Sequence, residues 1–184
     1  MTVELQSKLP HLGTTIFTEM SALAQQHGAV NVSQGFPDIP PPEGLVHAAV
    51  QALHDGVHQY APMAGRPDLR AWICGDHAER HGATYDPKTE CTIGAGASSL
   101  LFAAITAFVQ PGDEVVVQAP AYDLYAPAVA LAGGKLVEVP LLGDDGAWDV
   151  DTLIGAIHAR TRLVILNTPH NPTGTVCPPG FLDT

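Results

Sequence analysis

Apolar runs and turn residues alternate along the chain at spacings that predict short strands and helices. From residue 90 onward, four apolar runs rich in β-branched residues alternate with three helical segments. The predicted strands span residues 90–94, 114–119, 135–140 and 162–167. The predicted helices between them span residues 98–109, 123–132 and 149–159. This order is typical of an α/β fold in which helices cover both faces of a mostly parallel sheet, giving three α-β-α layers.

The first half of the chain predicts three helices, at residues 16–26, 42–54 and 67–81. Thr14 or Thr15 is expected to cap the first of them, and Gly28 to end it. A short strand is predicted at residues 30–38, where an apolar run breaks into a proline-rich loop.

The charge balance of the chain is strongly acidic. Eight lysines and arginines stand against 19 acidic residues, so the 184 residues carry a formal net charge of −11. Such a balance argues against nucleic acid or an anionic membrane as a partner. No apolar run reaches the ~20 residues that a membrane span needs, and residues 1–12 lack the apolar core of a signal peptide. We therefore expect a cytoplasmic protein with neither a nucleic-acid nor a membrane partner.

The cysteines and histidines offer no metal-binding pattern. Cys74, Cys91 and Cys177 are odd in number and far apart in the sequence, which predicts reduced thiols rather than a zinc site or a disulfide framework. His77 and His81 stand four residues apart on a predicted helix, but no third ligand accompanies them. Exposed histidines are favoured, and no metal site is expected.

A turn rich in amide and proline residues follows the last predicted strand. Residues 167–174 read Asn-Thr-Pro-His-Asn-Pro-Thr-Gly, and the prolines and the glycine fix the backbone of this turn. Open α/β sheets bind ligands beyond the carboxyl ends of their strands. The turn therefore predicts a site for a flat polar ligand.

A glycine-rich turn joins the strand predicted at 90–94 to the following helix. Gly94, Gly96 and Ser98 let the backbone approach a ligand closely, and the free N–H groups of a helix N-terminus can bind phosphate. The full G-x-G-x-x-G pattern and the Walker lysine are absent. The alternative is a close helix–strand contact that needs small residues.

Two tyrosines lie in loops where a ligand could bind. Tyr122 follows the strand predicted at 114–119, where its ring can stack on an aromatic ligand; the alternative is a core tyrosine with a satisfied hydroxyl. Tyr125, three residues later, is expected to pack. Tyr60 stands in a loop at 56–65 that proline and glycine stiffen, where its phenol can reach a phosphate within the chain or across a dimer. By itself it would be an ordinary loop tyrosine.

Taken together, five segments resemble the class I and II aminotransferases, the fold-type-I enzymes that depend on pyridoxal 5'-phosphate (PLP). They occur in the family's order and lie at residues 33–38, 60–65, 96–98, 119–122 and 167–174. The branch resembled most is that of the bacterial methionine aminotransferases and the kynurenine aminotransferases, which favours methionine, glutamine and aromatic amino acids. The resemblance implies amino-group transfer between an L-amino acid and a 2-oxo acid, by a homodimer with its sites at the interface. A PLP-dependent C–S lyase is a related alternative.

The resemblance implies a role for each residue that matches the cofactor-binding motifs. Gly96, Ala97 and Ser98 would hold the phosphate of PLP. Tyr122 would stack on the pyridine ring, and Asn171 would donate a hydrogen bond to its phenolic oxygen. In such enzymes the cofactor is the electron sink and the protein supplies orientation.

Further implied roles concern the substrate, the partner subunit and the domains. Gly35 would offer its backbone N–H to the substrate α-carboxylate, and Tyr60 would reach the phosphate bound by the neighbouring subunit. Asn167 would brace the turn that carries Asn171. The resemblance also assigns residues 1–41 to an N-terminal arm and helix of the small domain, and residues 42–184 to an incomplete PLP-binding large domain.

The family's Schiff-base lysine has no counterpart at a matching position. In the family it follows a later strand, in a Ser-x-Ser-Lys-like context, whereas Lys8, Lys88 and Lys135 lie elsewhere and are expected to be solvated surface residues. The aspartate that faces the pyridine nitrogen and the arginine that binds the α-carboxylate are also missing. The sequence after Gly174 departs from the family's usual helix start. We therefore predict a truncated fragment without transaminase turnover.

Three hypotheses of different classes follow. The first is a fragment of an aminotransferase. The second is a non-catalytic protein of the same fold that binds a ligand or a full-length partner. The third is a nucleotide-binding α/β domain, which residues 94–96 support only weakly, because no clear acidic residue closes the following strand to hold a ribose.

Overall fold

The computed structural model describes residues 6–35, 37, 39–143 and 146–181. Two compact units divide the chain. The helical unit is Gly13–Gly94, and the sheet unit is Met1–Leu12 together with Ala95–Thr184. This division differs from the boundary expected after residue 41, and the assignment of 1–41 and 42–184 to two domains stays a prediction. None of the described helices is long and apolar enough to cross a membrane.

The helical unit contains three helices whose bounds follow their local sequence. They are α1 (Ile16–His27), α2 (Glu43–His54) and α3 (Pro67–His81). The hydroxyl of Thr15 accepts a hydrogen bond from the N–H of Thr18 at 3.3 Å, so Thr15 caps α1 as predicted. Gly28 ends the helix in a left-handed conformation, also as predicted.

Two strands predicted in this unit are wrong. Residues 30–38 and 90–94 join no sheet within the described part of the chain, and Phe36 and Asp38 lie outside that part. The apolar residues of these two segments predicted extended, buried strands. A strand also needs a neighbouring strand to pair its backbone groups, and no described residue supplies one here.

The sheet unit contains a parallel sheet of three strands in the order β2-β1-β3. The strands are β1 (Glu114–Ala119), β2 (Lys135–Pro140) and β3 (Thr161–Ile165). The first two have the predicted bounds, and the third is shifted slightly toward the N-terminus. Strand β1 lies in the centre, where Val115, Val116 and Val117 are fully buried.

Three helices cover the two faces of this sheet: α4 (Ala97–Phe108), α5 (Tyr125–Leu131) and α6 (Val150–Gly155). Ile105 of α4 and Val129 of α5 share a buried cluster with Val117 on one face. On the other face, Leu153 of α6 packs in a second cluster with Val116. The two clusters confirm the predicted three-layer α/β fold.

Helix α6 is shorter than the predicted helix at 149–159. It ends at Gly155, and glycine has a low helix propensity. The chain then turns, because the N–H of Thr161 donates a hydrogen bond to the carbonyl of His158 at 2.9 Å. This turn leads directly into β3.

The ladder between β1 and β3 contains a bulge at its start. Glu114 pairs with Thr161, whereas Val115 pairs with Leu163, so Arg162 is an extra residue on β3. Its guanidinium lies 3.5 Å from the carboxylate of Asp113.

Candidate functional site

Two of the candidate loops leave the same edge of the sheet. Strand β1 ends at Ala119, shortly before Tyr122, and β3 ends at Ile165, shortly before Asn167. The strands are parallel, and Val117 pairs with Ile165. Both loops therefore start at the carboxyl edge, which is where α/β sheets bind ligands.

The N-terminus of α4 is open for an anion. Gly96 precedes the helix with φ 88°, a conformation that favours glycine, and no side chain caps the helix. The N–H groups of the first turn have no partner inside a helix, and they carry the positive end of its dipole. A Cβ built on Gly96 would meet no atom within 4 Å, so the space beside this turn is free.

The two serines that follow differ in what their hydroxyls bind. The Ser98 Oγ lies 3.2 Å from the hydroxyl of Tyr122, a hydrogen-bond distance. The Ser99 hydroxyl instead donates to the carbonyls of Ala95 at 3.1 Å and Gly96 at 2.9 Å. Ser98 is therefore the serine that joins the helix N-terminus to the loop after β1.

The ring of Tyr122 is held by a second tyrosine. The two rings of Tyr122 and Tyr125 form a T-shaped pair, with 5.7 Å between the centroids and 81° between the planes. Tyr125 is buried, as predicted, and burial raises the pKa of its phenol. Tyr122 is half-buried and keeps part of its surface accessible.

The turn after β3 is braced from inside. The side-chain amide of Asn167 donates to the carbonyl of Pro169 at 3.1 Å. Asn171 is exposed, and its amide makes no hydrogen bond to any described residue. Its side chain is thus free to bind a ligand.

His170 supports the same turn and was missed from the sequence. It is only 4% exposed, and its Nδ1 lies 2.8 Å from the Thr173 hydroxyl. Its ring also forms a T-shaped pair with Trp148, with 6.1 Å between the centroids. A histidine between two prolines carries no hydropathy signal for burial, so only the tertiary packing reveals this role.

The remaining candidates belong to the helical unit. Tyr60 is fully exposed on the predicted loop, and Gly35 is exposed as well. The loop of Tyr60 is anchored by its end, where the N–H of Ile93 donates to the carbonyl of Ala64 at 3.0 Å. Gly65 lies so close to Ile93 that a Cβ there would fall 2.5 Å from the isoleucine side chain. The roles expected of Tyr60 and Gly35 stay predictions.

The helical unit also holds the histidine pair. The ring centroids of His77 and His81 lie 4.7 Å apart. His77 is half-buried rather than exposed, and its Nδ1 lies 3.3 Å from the carbonyl of Ala83. Within the described residues, no cluster of three or more potential metal ligands occurs.

A buried carboxylate lies at the opposite edge of the sheet. Glu114 begins β1 and is 4% exposed; its carboxylate accepts from the Arg160 Nε at 3.0 Å and lies 2.9 Å from the His158 Nε2. Burial works against this charge, but the hydrogen bond from Arg160 and the nearby positive charges outweigh it and hold the pKa below its ordinary value. The sequence did not indicate that Glu114, an acidic residue at the start of a strand, would be buried.

The three lysines are exposed, as predicted. Lys135 pairs with Glu114 in the ladder between β2 and β1. It therefore lies at the amino edge of the sheet, opposite to Tyr122 and Asn167.

Comparison with known proteins identifies the family of this site. The sequence model of aminotransferase class I and II matches residues 28–184. The chain belongs to the class I and II aminotransferase family. All five segments that resembled this family lie within the matched range, and the family's cofactor is PLP.

Relatives in the aminotransferase family include close ones. The chain is 50% identical to the methionine aminotransferase of Escherichia coli K12 over 93% of its length and 44% of that protein. It is 35% identical to human kynurenine–oxoglutarate transaminase 1 over 96% of its length and 45% of that protein. A crystal structure of the E. coli methionine aminotransferase matches with a TM-score of 0.93 at 47% identity, over 99% of this chain and 48% of that one. The chain thus spans less than half the length of these relatives.

The residues of the sheet unit fit the phosphate end of PLP. A phosphate needs several hydrogen-bond donors and a positive field, and the open first turn of α4 supplies both. The Ser98 and Tyr122 hydroxyls add neutral donors beside it, and no acidic side chain occurs among residues 94–99.

Proposed function

We propose that this chain is part of a PLP-dependent aminotransferase that moves an amino group between an L-amino acid and a 2-oxo acid. The amino donor is methionine, glutamine or an aromatic amino acid, because the relatives include methionine and kynurenine aminotransferases. Family membership supports the reaction class. The open N-terminus of α4, with the Ser98 and Tyr122 hydroxyls beside it, supports a phosphate-binding site in this chain.

The hydrogen-bond distance between Ser98 and Tyr122 carries the proposal. It joins the free helix N-terminus of α4 to an aromatic ring at the carboxyl edge of the sheet. Gly96, Ala97 and Ser98 bind the phosphate through backbone N–H groups and one hydroxyl. Tyr122 stacks on the pyridine ring, whose face its half-buried side chain can cover. When bound, the cofactor supplies the electron sink for the reaction.

Asn171 orients the cofactor from the neighbouring strand. Its exposed amide donates a hydrogen bond to the phenolic oxygen of PLP and so favours the anion of that oxygen. Asn167 and His170 hold the turn in place, through the bonds to Pro169 and Thr173. Asn171 thus tunes the cofactor, while the other two act as positioning residues.

Two residues of the helical unit bind groups of the substrate and of the cofactor held by the partner subunit. Gly35 donates its backbone N–H to the substrate α-carboxylate. Tyr60, whose side chain is fully exposed, donates to the phosphate bound by the second subunit of a homodimer. We place this dimer in the cytoplasm, in keeping with an acidic chain that has reduced cysteines.

This chain by itself binds the cofactor without turning over substrate. A lysine that carries the proton must reach the reacting atoms, and Lys135 lies at the opposite edge of the sheet from the proposed site. Lys8 and Lys88 stand outside the segments that match the family's motifs.

A binding experiment tests the proposal without relying on activity. Pyridoxine 5'-phosphate lacks the aldehyde of PLP and cannot react with surface lysines, so quenching of tyrosine and tryptophan emission reports only non-covalent binding. We expect saturable binding that inorganic phosphate displaces and NAD does not. Displacement by NAD at similar concentration would favour the nucleotide-binding alternative, and no binding at millimolar ligand would refute the proposed site.

Matched serine variants locate the binding site. Ser98→Ala removes a hydroxyl donor to the phosphate and should weaken binding about tenfold, as expected for a hydrogen bond to a charged group. Ser99→Ala removes a hydroxyl that bonds only to carbonyls of its own helix start, so its dissociation constant should match that of the wild type. Equal effects of both variants would contradict the assignment of Ser98.

A further inference from the structure

Two histidines share the last turn of α3. His77 and His81 are four residues apart on this helix, which ends at His81, and residues four apart share a helix face. Their ring centroids lie 4.7 Å apart. Two imidazoles that bind one metal ion through bonds of about 2.1 Å have ring centres ~4.5–5.2 Å apart. The two rings are therefore spaced to bind one ion between them.

The ring of His77 is held in the form that binds a metal ion. Its Nδ1 lies 3.3 Å from the carbonyl oxygen of Ala83. Because a carbonyl oxygen only accepts hydrogen bonds, Nδ1 carries the hydrogen, and the lone pair of the neutral ring is on Nε2. Metal-binding histidines almost always donate their other ring N–H in this way, which fixes the tautomer and orients the ring.

The two histidines differ in their freedom to move. The half-buried ring of His77 also forms a T-shaped pair with Tyr85, with 5.2 Å between the centroids and 73° between the planes. His81 is exposed and makes no hydrogen bond to any described residue. His77 thus supplies a fixed ligand, and His81 can rotate to complete the pair with an ion that arrives from solvent.

The charges around this helix end favour a cation. The C-terminus of a helix carries the negative end of its dipole, and α3 ends directly after His81, at Gly82. Arg80 lies in the same turn, but its Nε donates to the carboxylate of Asp76 at 2.8 Å, which offsets its charge. The net charge of the chain, −11, adds a long-range attraction for cations.

We propose that His77 and His81 bind one divalent ion of the late first-row transition metals, such as Ni²⁺ or Zn²⁺, with water in the remaining positions. Imidazole nitrogen is a preferred ligand of these ions. Within the described residues no cluster of three or more potential ligands occurs, so the ion exchanges with solvent more readily than one held by four protein ligands. The site goes beyond the proposed aminotransferase function and does not depend on it.

The bound ion links two side chains one helical turn apart. It binds the helical form of residues 77–81 and has no such pair to bind in the unfolded chain. Binding that favours the folded state stabilises it by mass action. The metal therefore stabilises the end of α3 and, through the Ala83 carbonyl, the segment that follows.

Calorimetric titration with Ni²⁺, in a buffer that does not bind metals, tests the proposal. The wild type should bind one ion per chain with saturation. His81→Ala leaves a single histidine and should raise the dissociation constant about tenfold or more. Because His81 is exposed, its replacement should leave the fold intact, which circular dichroism checks. His77→Ala should weaken binding in the same way.

A second histidine pair supplies the matched control. His54 and His58 also stand four residues apart, but α2 ends at His54, and Gly56 between them has φ 79°. They do not share a helix face, so His54→Ala should leave the dissociation constant unchanged. Absence of saturable binding at millimolar Ni²⁺, or equal weakening in His54→Ala and His81→Ala, would overturn the proposal.

Nitrogen-15 NMR and thermal melting give independent readouts. The metal-free protein should show His77 with its hydrogen on Nδ1, and Zn²⁺ should shift the Nε2 resonance of the same ring. The melting temperature of the wild type should rise with the metal concentration, whereas that of His81→Ala should stay constant. A hydrogen on Nε2 of His77, or the same rise in both proteins, would contradict the assigned ligands.

Discussion

The two units of this chain are stabilised by different means. In the sheet unit, β1 is buried on both faces by helices of the neighbouring layers. In the helical unit, Cys74 is the only buried hydrophobic residue among those described, while Leu45 and Leu53 of α2 are 63% and 60% exposed. The three helices of this unit form all the same, within one residue of their predicted bounds. Caps and local sequence thus define where a helix lies, whereas packing supplies most of the stability.

The largest effect should come from the core of the sheet unit. Ile105→Ala removes a side chain that is 1% exposed between α4 and the sheet. We expect the free energy of unfolding to fall by about 3 kcal/mol, because the deletion leaves a cavity. Urea denaturation followed by circular dichroism measures this change.

Val46→Ala is the matched change in the helical unit, where Val46 is 44% exposed on α2. Its effect should stay within about 0.5 kcal/mol, as for other surface substitutions. If both variants lost the same free energy, the contrast between the units would be wrong.

A smaller effect is expected from the buried carboxylate of the sheet unit. Glu114→Gln removes the ion pair with Arg160 and should lower the urea midpoint by less than Ile105→Ala does. The folded-state pKa of Glu114 is lowered, so its contribution is present above the unfolded pKa and is lost as the pH falls through the folded value.

The wild type and Glu114→Gln should therefore converge as the solution is acidified below about pH 4. Denaturation midpoints at several pH values between neutral and acid measure this. A difference that stays constant down to the lowest pH would mean that the charge of Glu114 has no part in it.

Removing the N-cap of α1 should have a smaller effect on stability, in the helical unit. Thr15→Ala removes the hydroxyl that accepts from the N–H of Thr18 and should destabilise α1 by about 1 kcal/mol. Thr14→Ala changes the same residue type one position earlier, where no cap bond is made, and should be nearly neutral. Loss of helical circular dichroism in Thr14→Ala but not in Thr15→Ala would reverse the assignment of the cap.

The smallest effect concerns an exposed ion pair at the start of α3. The hydrogen bonds from Arg66 and from the N–H of Leu69 lower the pKa of Asp68 to about 2. Any stabilisation by its charge is present near neutral pH and is lost as the pH falls toward that value. An NMR titration measures the pKa directly, and Arg66→Ala should raise it toward the ordinary 3.8.

Added salt should affect the pKa values of Asp68 and Glu114 to different extents. Exposed charges are screened more strongly than buried ones, so added salt should raise the pKa of Asp68 more than that of Glu114. The opposite order would contradict the burial of Glu114.

Most of the sheet unit could be predicted from its sequence, because its strands are continuous apolar runs between turn residues. Strands β1 and β2 have the predicted bounds, and the glycine turn does precede a helix at Gly96. The segments 30–38 and 90–94 failed because a strand is defined by its neighbour, which a local pattern does not contain.

The local sequence also fails to predict which residues of the candidate site come together. Ser98 and Tyr122 were each predicted from local turns, and their hydrogen-bond distance depends on how the layers pack. His170 and Glu114 were missed because polar residues are ordinarily exposed. Their burial depends on partners such as Trp148 and Arg160, which are distant in sequence.

The bulge at Arg162 makes the pairing at the start of β3 independent of the direction in which its later side chains point. A slip of one residue in a strand sends every side chain to the other face. The extra residue takes up that slip locally, so Thr161 can stay beside Glu114 while Leu163 and Ile165 keep to the face of α4 and α5. The charged end of the sheet can therefore accept changes in sequence without moving the strand end that leads to Asn167 and Asn171.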